Sequence, residues 1–418
     1  MSKKSLLPGV VLFLLFTGIQ EVSFGQASTG IHFTDSSWQT LLNQAKTEHK
    51  LIFMDAHTTW CGPCKWMDKN VFTDPGVREL YDRNFINAYT DMEKGEGIEL
   101  RKKYEVRAYP TYLFINGDGE VVHKAVGEST IAEFIQYGLD ALSPTFNLSY
   151  FQKNYAKNSD NYNFVHGYLK ALQNASETDS ANAVALQYLL KQKPELWMQN
   201  ENWQLILTDV LDASSPVFKY LVGHQKQFEN LFGKSIVSGK IYDTYLAWPR
   251  HYLLYPEMGP VKFDKIGFNR FITEVKSSDY IKKAEIIDKS NLTILFGLRK
   301  WDSYSNTVSR MIKDHIIPMN VSGAEELYNY TDMLYRFAGD NQIALSDAVD
   351  FAKILSEKIS GISDQSKASY LDMYANLLDK TGDKLHSKIV RGTINQKYLS
   401  QAKAASPMQE LMVVPKQK

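Results

Sequence analysis

Cysteine is nearly absent from this chain, with two residues in 418. A disulfide framework needs more of them, spread along the sequence, and a structural zinc site needs four ligands. Charge of one sign is also missing: 47 basic residues balance 47 acidic ones. That balance leaves no electrostatic footprint for nucleic acid or for an anionic membrane surface. No metal cluster, phosphate-binding loop or hydrolase triad signature is present, so the sequence implies no cofactor and no metal. With 44% hydrophobic and 12% aromatic residues, the chain can pack a core, and its length favours two or more domains.

What is there begins at the amino terminus. Lys3 and Lys4 precede an apolar run from Leu6 to Ile19, interrupted by Pro8, Gly9, Thr17 and Gly18. Ser23 and Gly25 then place small residues before a cut ahead of Gln26. This reads as a secretory signal over residues 1–25, and its short, broken apolar run favours cleavage over the alternative of an uncleaved membrane anchor. An exported protein, periplasmic in a bacterial envelope and without stable membrane insertion after cleavage, is the expectation.

The two cysteines stand together as Trp60-Cys61-Gly62-Pro63-Cys64. A thiol pair at this spacing suits making and breaking one bond, because the pair populates the thiolate that does the attacking. Around it the apolar pattern alternates between helical and strand periods. Trp38, Leu41, Leu42 and Ala45 mark a helix face capped near Ser36, and Leu51-Ile52-Phe53-Met54 reads as a strand buried on both faces. Helices are expected over 65–71, after the Asp74-Pro75 cap, over 100–104 and over 131–142, with a second strand at 86–92. A hairpin is expected from 111–115 and 121–126 about the turn Asn116-Gly117-Asp118-Gly119.

These elements and residues together resemble a thioredoxin over residues 31–142, about a quarter of the chain. Asp55, six residues before Cys61, stands where that family keeps a buried carboxylate. Tyr109-Pro110-Thr111 resembles its cis-proline loop, and Gly127 its strand-ending glycine. Thr73-Asp74-Pro75-Gly76-Val77 is similar to thioredoxin-like domains of bacterial envelopes, including the soluble end of a transmembrane electron conduit. The resemblance implies an α/β thioredoxin fold in residues 26–145, with Cys61 attacking and Cys64, less exposed, resolving. Asp55 would relay the proton of Cys64, and Trp60, Tyr109 and Pro110 would contact substrate, with Gly62 and Pro63 forming the turn. Gly62-Pro63 matches the dipeptide of reducing thioredoxins. The family's lysine near the buried acid is replaced, and the aligned position is Asn87.

Beyond Pro144 the strand signal fades, and residues 146–405 read as a mainly α-helical domain before a tail at 406–418. Stripes at Ala348, Ala352, Leu355, Ile359 and at Leu371, Tyr374, Ala375, Leu378 resemble one tetratricopeptide-like hairpin, without a regular repeat. The leading expectation is an exported thiol–disulfide oxidoreductase that reduces disulfide-containing proteins with electrons from a membrane donor. The alternative is a scaffolding protein whose helical domain does the main work beside an accessory redox pair.

Overall fold

A computed structural model describes residues 30–256, 259–359 and 361–397. The expected signal segment, residues 1–25, and the tail from 406 lie outside the described residues. Two compact units divide the chain, one ending at Ala181 and the other beginning at Asn182.

The first unit is built on a four-stranded sheet in the order β2-β1-β3-β4. Its strands are β1 (Leu51–His57), β2 (Phe85–Asp91), β3 (Thr111–Ile115) and β4 (Val121–Val126). β2 runs parallel to β1, whereas β3 is antiparallel to both β1 and β4. The apolar start of β1 places it at the sheet's centre, as a strand covered on both faces must be. Alternation then sorts its side chains. Ile52, Met54 and Ala56 enter one core with Leu41, Ala45, Leu100 and Tyr104, from α1 (Trp38–Glu48), α4 (Gly97–Lys103) and the residue after it. Phe53 enters the other core with Met67, Val77, Tyr81 and Phe134. These come from α2 (Gly62–Asn70), α3 (Pro75–Asn84) and α5 (Ile131–Leu142). The period of two puts Asp55 and His57 on that second face, beneath α2.

Local chemistry sets the ends of the helices. Ser37, not Ser36, caps α1. The Asp74 carboxylate accepts from the amides of Gly76 and Val77, with Pro75 opening α3. Thr130 and Glu133 form a reciprocal capping box on α5. β1 extends three residues past the expected Met54, and the expected hairpin forms as read.

The compact unit is longer than residues 26–145. Two further helices, α6 (Leu148–Asn158) and α7 (Tyr162–Asn174), pack on β4. The Leu148 amide donates to Nδ1 of the fully buried His123 on β4 at 3.3 Å, and Lys124 pairs with Glu177 at 2.8 Å. The turn at Ser143-Pro144 therefore ends the repeating α/β pattern without ending the packing.

The second unit is mainly helical among its described residues, with one two-residue ribbon pairing Leu253–Leu254 with Lys262–Phe263. Trp197, Trp203 and Tyr245 are core residues. Ala348, Ala352, Leu355 and Ile359 lie in one core with Tyr370, Met373 and Leu377. The buried face of helix Asp364–Thr381 is wider than its expected stripe, because it packs on both Gln342–Glu357 and Lys384–Lys397. Among the described residues no helix is long and apolar enough to cross a membrane.

Candidate functional site

Cys61 is the N-cap of α2, in extended backbone geometry, and its Sγ accepts the Cys64 amide hydrogen bond at 3.1 Å. Pro63 in the first turn fixes helical φ without adding an unsatisfied N–H. The remaining free amides and the macrodipole at this end favour negative charge on the Cys61 sulfur. Cys61 and Cys64 are joined as a disulfide. Both cysteines are buried, with Cys61 at 3% and Cys64 at 2% exposure, so exposure barely separates them. Helix position, rather than exposure, distinguishes the two sulfurs.

The residues beside the pair form an aromatic rim. Trp60 is 64% exposed, donates from Nε1 to Glu93 at 2.9 Å, and meets the Tyr109 ring edge-on at 5.9 Å. That contact brings the Tyr109-Pro110-Thr111 loop to the cysteine loop, although about fifty residues separate them. The Tyr109–Pro110 peptide is cis. The Thr111 hydroxyl closes the loop onto the Ala108 carbonyl at 2.7 Å, and the Gly127 amide donates to the Pro110 carbonyl at 2.9 Å. Gly127 has φ +98°, a left-handed conformation that glycine adopts without a Cβ clash.

Asp55 is 1% exposed, and its Oδ1 has no hydrogen-bond partner. Burial pushes its pKa well above the ordinary carboxyl value, and the charge of Asp68 adds to the shift. An acid in that condition holds its proton well above the usual carboxylate range. Asn87 is not its neighbour across the strands. It stands opposite Phe53 and donates to the His32 carbonyl and to Asp82, while Tyr89 stands opposite Asp55.

Tyr89 and His57 carry no role in the sequence expectation, yet the fold brings both to Asp55. The His57 ring stacks on Tyr89 at 3.7 Å, with its Nδ1 3.6 Å from Asp55 Oδ2. The Tyr89 hydroxyl donates to Asp68 of α2 at 2.8 Å. The two-residue spacing from Asp55 could have placed His57 on the same strand face. The partner in β2 depends on register, which sequence alone leaves open.

Residues 38–142 match the family described as a thioredoxin-like domain. The thiol:disulfide interchange protein DsbD of Escherichia coli K12 is 32% identical over 110 residues, 24% of this chain and 20% of that protein. DsbD of Salmonella typhimurium is 32% identical over 109 residues, 24% of this chain and 19% of that protein. The match thus spans about a fifth of these relatives' length. Among solved structures, a candidate disulphide-isomerase from Bacteroides thetaiotaomicron is 47% identical, covering 28% of this chain and 98% of that one, with a TM-score of 0.27. A thioredoxin from Thermus thermophilus is 26% identical over 26% of this chain and 85% of that one, with a TM-score of 0.24. Residues 38–142 are a thioredoxin-like domain, and a mainly helical region follows it.

Proposed function

We propose that the protein is an exported thiol–disulfide oxidoreductase that reduces disulfides in other proteins of the bacterial envelope. The observation that carries this reading is the Cys61–Cys64 pair, with Cys61 capping a helix whose first turn already directs the Cys64 amide at its sulfur. The name of the DsbD relatives, thiol:disulfide interchange protein, supports the same chemistry.

The Cys61 thiolate attacks one sulfur of a substrate disulfide and expels the other as a thiol, leaving a mixed disulfide. Cys64 gives its proton toward Asp55 and attacks the Cys61 sulfur, closing the internal disulfide and releasing the second substrate thiol. The substrate gains two electrons and the cysteine pair loses them, so a donor must restore the dithiol. In an oxidising compartment that donor is a membrane protein carrying electrons outward. Trp60 and Tyr109 offer the substrate an apolar rim, and Pro110, lacking an N–H, leaves the loop edge open to a peptide. The helical region supplies a second surface for protein partners, which raises effective concentration without altering the bond chemistry.

The test is dithiothreitol-driven reduction of insulin by the full chain, together with the reduction potential of the pair. A reductase accelerates insulin reduction and has a potential near that of thioredoxin, about −270 mV, not near the about −120 mV of a strong oxidant. Equal activity in wild type and Cys61→Ser would remove the proposal.

A further inference from the structure

Asp55 is sealed from solvent, yet its proposed role requires it to gain and lose a proton in every cycle. An acid with 1% exposure needs a route for that proton. His57 is a titratable group beside it. It lies two residues on in the same strand and on the same face, with Nδ1 3.6 Å from Asp55 Oδ2 and 3.4 Å from the Asp55 carbonyl. Its own exposure is 6%, and it sits at the open end of β1, where the chain leaves the sheet for the cysteine loop.

The charged and titratable groups facing His57 come from three elements. Asp55 is on β1, Asp68 on α2, and Tyr89 and Asp91 are on β2, with Lys94 just beyond. Lys94 pairs with Asp91 at 2.9 Å, so their effects on the ring oppose one another. Asp68 is engaged by the Tyr89 hydroxyl. Burial then dominates: it raises the proton affinity of the carboxyl and lowers that of the imidazole. The two affinities move toward each other, the condition under which a proton passes easily between neighbours. Imidazole also has two nitrogens, so one can face the acid while the other faces outward.

We propose that His57 is a positioning residue that carries protons between buried Asp55 and solvent, and so sets the protonation state in which Asp55 meets Cys64. This deepens the disulfide-exchange reading above and rests on it. In the mixed disulfide His57 takes the Asp55 proton and leaves a carboxylate. That carboxylate receives the proton of Cys64, whose sulfur lone pair forms the Sγ–Sγ bond with Cys61. The bond from Cys61 to the substrate sulfur breaks, its electron pair leaves with that sulfur, and the imidazolium gives up its proton to solvent. Tyr89 holds the ring in place by stacking.

Reduced full-length protein reacting with Ellman's reagent separates the steps. The first thionitrobenzoate released reports Cys61 attack, and the second reports closure by Cys64. His57→Phe keeps a ring against Tyr89 without nitrogen, and His57→Asn keeps a polar group near Nδ1 that does not titrate. Both should leave the first phase unchanged and slow the second about ten-fold near neutral pH, less than a directly acting general base would cost. The gap should close by about pH 9, where hydroxide ionises Cys64 directly. A second phase equal to wild type at every pH, or slow in His57→Phe but restored in His57→Asn, overturns the proton-carrying role. Equal slowing of both phases at all pH values overturns it as well, since that marks structural damage. A wild type that shows no second phase removes the exchange reading itself and this inference with it.

Discussion

Acidification from about pH 7 to about pH 4 should weaken the first unit, with His123 as the largest histidine contribution. This ring is fully buried on β4, accepts the Leu148 amide at Nδ1, and has no partner at Nε2. Burial pulls its pKa from 6.5 down to about 4. The folded value lies below the unfolded one, so the unfolded chain takes up the proton first as the pH falls. The neutral ring's contribution is complete above about pH 6.5, declines through the window, and stops changing below about pH 4. A shift of that size corresponds to about 3 kcal/mol, a large share of the 5–15 kcal/mol that holds a typical domain together. His57, whose pKa burial also lowers, and carboxylates titrate in this range as well, so the measurement is a difference. Urea unfolding of wild type and His123→Asn, followed by hydrogen exchange at β3 and β4 amides, should show about 3 kcal/mol more acid loss in wild type. The asparagine carbonyl can still accept from Leu148, and any fixed cost it brings cancels across pH. Parallel stability profiles for the two proteins would refute the reasoning.

Two further outcomes follow from the same kind of argument. Asp55→Asn should raise the melting temperature at neutral pH while slowing disulfide turnover. Asp55's folded pKa is raised, so the stability it provides is present below about 3.8 and is lost as pH rises through the folded value; an offset that is the same at pH 3 and pH 7 would contradict this. Gly117→Ala should destabilise the first unit by about 1–3 kcal/mol in chemical denaturation, because a Cβ there would lie 2.5 Å from Lys46 Cγ and 2.8 Å from the Lys46 amide nitrogen.

Much of the first unit was legible because local signals and tertiary packing agree. The run 51–54 suits a covered strand, Asp74-Pro75 suits the start of a helix, and Asn116–Gly119 turns the hairpin that joins β3 and β4. The cysteine spacing points to disulfide exchange without any knowledge of distant contacts. What stayed hidden depends on contacts distant in sequence. Nothing local shows that His123 receives an amide from residue 148, so the packing of α6 and α7 on β4 could not be read from the break at Pro144. The aligned position of Asn87 suggested a neighbour for Asp55 on the adjacent strand, whereas strand register places Tyr89 there, stacked on His57 from the same strand as Asp55. In the second unit, periodicity located helices, but the breadth of the buried face on Asp364–Thr381 depends on how many neighbours it has.

The most direct test of the account is which sulfur is captured by a substrate disulfide. Reduced full-length Cys64→Ser and Cys61→Ser would each be mixed with insulin, and covalent adducts read by mass spectrometry. The account predicts a stable mixed disulfide through Cys61 in Cys64→Ser, where the resolving thiol is gone, and little adduct in Cys61→Ser, whose remaining thiol lacks the N-cap position. Equal capture by both variants, or capture only by Cys61→Ser, would contradict it.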